Sequence, residues 1–79
     1  MNIFIGNLSK QMDENNLHKI FTEFGLVNSV KVVKDSYTGK FRGFGFVEMV
    51  SEEDALNAIK SLNNKSFFGK RIMVNRRED

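Results

Sequence analysis

The residues of this chain best suited to chemistry are aromatic rings set between charges, with few candidate acids, bases or nucleophiles beside them. The stretch "RGFGFVEM", residues 42–49, alternates two glycines with two phenylalanines, opens on Arg42 and carries Glu48 near its end. In an extended strand successive side chains point to opposite faces. Arg42, Phe44, Phe46 and Glu48 then share one face, and Gly43, Gly45, Val47 and Met49 the other. Two charges beneath packed helices would carry a large desolvation penalty. The arginine and phenylalanine face is therefore expected to lie open, with the glycines letting helices close onto the other side. "NIFIG", residues 2–6, sorts the same way, with Ile3 and Ile5 on one face and Asn2 and Phe4 on the other. Three aromatics, Phe4, Phe44 and Phe46, are thus expected on an open sheet. Leaving each uncovered forgoes roughly 1.5–3 kcal/mol of burial, and a contiguous exposed apolar patch usually marks a binding surface. Flat rings flanked by cations suit nucleobases, because each stacked base contributes about 1–3 kcal/mol while the cations attract phosphates.

Competing chemistries find little support. There is no cysteine, so disulfides and thiol catalysis are excluded, and the one histidine, His18, reads as a surface residue of a helix. No metal, cofactor or catalytic set is expected. Asp13-Glu14 and Glu52-Glu53-Asp54 open helical segments, where acidic side chains favour the positive end of the helix dipole. "GFGFVE" lacks the third glycine of a phosphate-binding G-x-G-x-x-G and continues as a strand, so that reading fails. No segment reaches transmembrane length, and the start has no basic region that would make a signal peptide. A cytoplasmic, monomeric protein is expected.

The elements that must position the rings follow from periodicity. Residues 2–6 read as a strand. Residues 13–24 read as a helix capped by Asp13, with Leu17, Ile20, Phe21 and Phe24 at helical spacing and Gly25 as a stop. Residues 28–34 alternate as a second strand, "DSYTG" makes a loop, and residues 41–49 form a third strand. Residues 52–62 read as a second helix behind Ser51, with Asp54 placed for a capping box. A loop with a tight turn at Phe68-Gly69 leads to a last strand over 71–75. The order β-α-β-β-α-β implies a ferredoxin-like α+β fold, a four-stranded antiparallel sheet with both helices on one face. A simple hairpin register pairs residue 31 with 44, and so Val32 with Gly43 and Val30 with Gly45. Lys31 and Val33 then join the phenylalanines on the open face.

All 79 residues fit one domain, with the charged C-terminus expected to fray. The net charge of +2 alone names no partner. Its distribution says more. Lys31, Lys40, Arg42, Lys70, Arg71, Arg76 and Arg77 fall in strands or sheet-side loops, whereas Asp13, Glu14, Glu23, Glu52, Glu53 and Asp54 fall in helical segments. A basic face and an acidic back would steer an anionic partner.

With the elements in this order, "IFIGNL", residues 3–8, resembles the RNP2 hexamer of the RNA recognition motif, and "RGFGFVEM" resembles its RNP1 octamer. The resemblance covers nearly the whole chain and is closest in kind to bacterial stand-alone single-motif proteins. It is also similar to the motif half of plant glycine-rich RNA-binding proteins. It implies that Phe4 and Phe46 each stack a base, that Phe44 packs against sugars between them and that Arg42 pairs with a phosphate. It further implies base-edge contacts from Asn75, Arg76 and Arg77, with Asn2, Lys31, Arg71 and Met73 completing the candidate RNA-binding set. Met49 departs from the usual aromatic at the eighth RNP1 position, but on the packed side. Single-stranded RNA is the implied partner, with single-stranded DNA left open, as are a chaperone-like role and post-transcriptional regulation. The alternative is a protein-interaction module, since "KSF", residues 65–67, is similar to a peptide-binding motif of some relatives, with lysine for arginine. Glu48 on a phosphate-binding face would need a cation, Lys31 or Arg71, to neutralise it.

Overall fold

The structure, a computed structural model, describes residues 1–34, 37–39 and 41–77, with the backbone alone of Lys34, Phe41 and Arg42. The chain runs β1 (Asn2–Gly6), α1 (Glu14–Thr22), β2 (Val27–Lys34), β3 (Phe41–Met49), α2 (Glu52–Leu62), β4 (Ser66–Phe67), β5 (Lys70–Arg71) and β6 (Met73–Arg76). β2, β3, β1 and β6 lie in that order in one antiparallel sheet. The architecture is the ferredoxin-like α+β fold.

Both helices begin where the sequence supplies a cap. Asp13 Oδ1 accepts from the Asn16 N–H at 2.8 Å, and Asn16 Oδ1 accepts from the Asp13 N–H at 3.0 Å, a reciprocal box. Ser51 Oγ accepts from the Asp54 N–H at 3.3 Å. α1 ends at Thr22, short of Phe24. Gly25 follows because the first turn of α2 presses on it: a Cβ there would sit 2.8 Å from that of Asp54.

The core lies between helices and sheet. Leu17 and Phe21 of α1 and Ala55, Ala58 and Leu62 of α2 meet Ile3, Ile5, Val47, Met49 and Val74 of the sheet, all buried. Met49 is buried there, on the packed side. Leu8 and Met12 of the β1–α1 connection are buried as well, without a periodic signal to announce them.

Two features differ from the sequence expectation. Arg71 does not open the last strand. Phe68 and Gly69 both take left-handed φ values, 52° and 80°, as a two-residue type I′ turn requires. That turn folds Lys70 and Arg71 back onto Phe67 and Ser66 as a separate ribbon, and β6 begins only at Met73.

The β2–β3 register also differs. The expected pairing holds at the hairpin end, Lys34 with Phe41, but Val32 pairs with Gly45 and Lys31 with Phe46. Between these points β2 advances two residues and β3 four. Gly43, at φ 82°, sits in this bulge, and its carbonyl accepts from the Leu8 N–H at 2.8 Å. The glycines thus serve the strands and not the helices. A Cβ on Gly45 would lie 2.5 Å from the Lys31 carbonyl oxygen of the neighbouring strand, and one on Gly43 would meet only the Leu8 carbonyl, at 3.8 Å. The shift is by two residues, an even number, so every side chain keeps its expected face.

Candidate nucleic-acid interface

The strand pairings lay the open face out in rows. One row runs Lys31, Phe46, Phe4, Asn75 across the four strands. A second runs Ser29, Glu48, Asn2 and, through the Arg77 N–H bonded to the Asn2 carbonyl at 2.9 Å, Arg77. On the other side of the aromatic row, Gly6 faces Met73.

The three phenylalanines meet as a cluster. Ring centroids are 5.9 Å apart for Phe4 and Phe44, 5.7 Å for Phe4 and Phe46, and 6.0 Å for Phe44 and Phe46. The rings are tilted or edge-on to one another, the arrangement their quadrupoles favour. Mutual packing leaves each of them half-buried, less bare than full exposure. Gly6 makes room for this: a Cβ there would come within 3.0 Å of the Phe4 ring. An open groove beside Phe4 and Phe44 is lined by Gly6, Asn7, Lys70 and Met73.

Of the expected site residues, Lys31, Met73 and Asn75 are exposed on this face, and Asn2 is half-buried there. The side chain of Arg42 and all of Lys40 lie outside the described residues. Two expectations need correction. Arg71 belongs to the β4–β5 ribbon, outside the rows of the main sheet. Arg76 pairs with Ile3, so alternation turns it away from Phe4, and its Nη2 lies 3.6 Å from Glu52 Oε1 at the start of α2.

Glu48 is not held by Lys31 or Arg71. The Asn28 side-chain amide donates to its carboxylate. Asn28 is the extra residue of a second bulge, where Val27 faces Met49 and Ser29 faces Glu48, and nothing in the sequence signals that contact. Sequence reasoning also missed Asn7, whose left-handed backbone (φ 57°) lets its Nδ2 donate to the Arg71 carbonyl at 2.7 Å. That bond ties the ribbon to the end of β1.

The family model for the RNA recognition motif matches residues 3–73. The chain belongs to the RNA recognition motif family. This is a family of non-enzymatic RNA-binding domains. The RbpB protein of Nostoc sp. is 42% identical, over 100% of this chain and 80% of its own length. The crystal structure of RNA Binding Protein PG1 superposes with a TM-score of 0.92 at 40% identity, covering 100% of this chain and 99% of that one. A Sex-lethal protein/RNA complex gives a TM-score of 0.93 at 31% identity, covering 99% of this chain and 47% of that one. Among the described residues of this RNA recognition motif, no helix is long and apolar enough to cross a membrane.

Proposed function

We propose that the open face holds single-stranded RNA by stacking, with Phe4 and Phe46 each taking a base and Phe44 packing against the sugar between them. Lys31 and Arg42 meet phosphates, and Asn2, Asn75 and Met73 border the bases. The observation that carries this reading is the cluster of three half-buried rings on a sheet face that no helix covers, with Lys31 directly across from Phe46. Arg76, engaged with Glu52, is left out of the site.

The protein acts as a monomer in this reading. Glu14 Oε2 accepts from the Val32 N–H at 3.0 Å on one outer strand, and Asn63 Oδ1 accepts from the Val74 N–H at 2.9 Å on the other. Side chains at these edges oppose strand-to-strand association. The peptide-binding alternative is less favoured, because Phe67 of "KSF" packs against the core.

Titration of wild type and a Phe4/Phe44/Phe46→Ala variant with short single-stranded RNAs tests the proposal. Loss of two stacked bases weakens binding roughly 30-fold or more. Equal affinity of the two proteins, with the variant still folded, overturns it.

A further inference from the structure

The Arg77 guanidinium carbon lies 4.3 Å above the centroid of the Phe46 ring. This is the ring surface on which a base would stack, so in the free protein Arg77 occupies the place of a base. Its backbone is fixed, because the Arg77 N–H bonds to the Asn2 carbonyl at 2.9 Å and extends the β1–β6 ladder by one residue. Only the side chain is free to yield.

The competition favours the base. An exposed cation–π contact shifts an equilibrium by about 2- to 5-fold, and a stacked base by about 5- to 150-fold. The displaced guanidinium has two destinations: a phosphate, or the outer face of the incoming base. Glu48 stands on the same row, across Asn2 from Arg77, and a carboxylate there repels a phosphate. A neutral base suffers no such repulsion. A guanidinium is planar and stacks on π faces as readily as an aromatic ring does. Lifting it by about one ring thickness, ~3.5 Å, needs only rotations along a long side chain whose Cα stays where it is.

We propose that Arg77 is a stacking clamp: it shields Phe46 in the free protein and closes over the base bound there, so that the base lies between the Phe46 ring and the guanidinium. This rests on the proposed stacking of a base on Phe46 and adds a residue beyond the last strand to that subsite. It also gives Glu48 a role, keeping phosphates away from the clamp.

The test is the affinity for a short oligouridine and its dependence on salt, for Arg77→Ala, Arg77→Lys, Phe46→Ala and the Phe46→Ala/Arg77→Ala double variant. The clamp predicts that Arg77→Ala weakens binding about 3- to 10-fold and that Arg77→Lys, which keeps the charge but not the plane, weakens it nearly as much. It also predicts that the Arg77 effect vanishes once Phe46 is absent. Wild-type affinity in Arg77→Lys, or an undiminished Arg77 effect without Phe46, would mean a phosphate contact and overturn the clamp. Tighter binding by Arg77→Ala would make Arg77 a competitor only, and unchanged binding would give it no role; either result overturns the clamp too. If Phe46→Ala itself binds like wild type, the stacking reading fails together with the clamp; if only the Arg77 variants behave like wild type, the clamp alone fails.

Discussion

Phenylalanine is used in two ways on the two sides of one sheet. Phe21 projects from α1 into the core and is fully buried. Phe4, Phe44 and Phe46 project from the opposite side of the sheet, stay half-buried and touch chiefly one another. The same side chain is spent on folding in one place and kept for a ligand in the other. Strand alternation alone enforces the separation: Ile3, Ile5, Val47 and Met49 are core because Phe4, Phe46 and Glu48 are not.

The sharpest way to break this contrast is to remove a ring from each side. Phe21→Ala should lose about 3–5 kcal/mol of stability, a large share of what a domain this size possesses. Phe46→Ala should lose less than about 1.5 kcal/mol, since only part of that side chain leaves water. Urea denaturation of the two variants measures the difference. A Phe46→Ala as unstable as Phe21→Ala would make the open face part of the core.

Gly45→Ala comes next. Its new Cβ would crowd the Lys31 carbonyl, so β2 must give way, at a cost of about 1–3 kcal/mol. A denaturation midpoint equal to that of wild type would show that the strands do not approach so closely. Lys31→Ala should leave stability alone and reduce the slope of log affinity against log salt by about 0.7, the contribution of one phosphate on a single strand; an unchanged slope would take Lys31 out of the site. Arg76→Ala should do least. Its ion pair with Glu52 is exposed and contributes about 0–1 kcal/mol, and RNA affinity should stay at the wild-type value. A clear loss of affinity would return Arg76 to the interface.

Much of this contrast was legible in the sequence, because it rests on parity. The charges Arg42 and Glu48 sort the third strand into an open and a closed face, and parity survives a register error of two residues. The register itself was not legible: Gly43 in a bulge and Gly43 in a flat strand read alike until the neighbouring strand is in place. The purpose of Gly45 was misread for the same reason, since the backbone it admits belongs to β2 and not to a helix. Arg71 and Arg76 illustrate two further limits. The Phe68-Gly69 turn was visible, but not that it would draw Arg71 into a ribbon of its own. Arg76 follows the alternation of β6 toward Glu52, and a reading that groups all terminal arginines with the RNA face overlooks that alternation. The Asn28–Glu48 contact and the Arg77–Phe46 stack depend on long side chains crossing between strands, which no local pattern encodes.

The central claim is that RNA meets the rings and not the helices. Intermolecular nuclear Overhauser effects in a complex with a short single-stranded RNA test it most directly. The account predicts contacts from the ring protons of Phe4, Phe44 and Phe46 to base and sugar protons, with α1 and α2 silent. Contacts confined to the helices, with the three rings unchanged from the free protein, would contradict it.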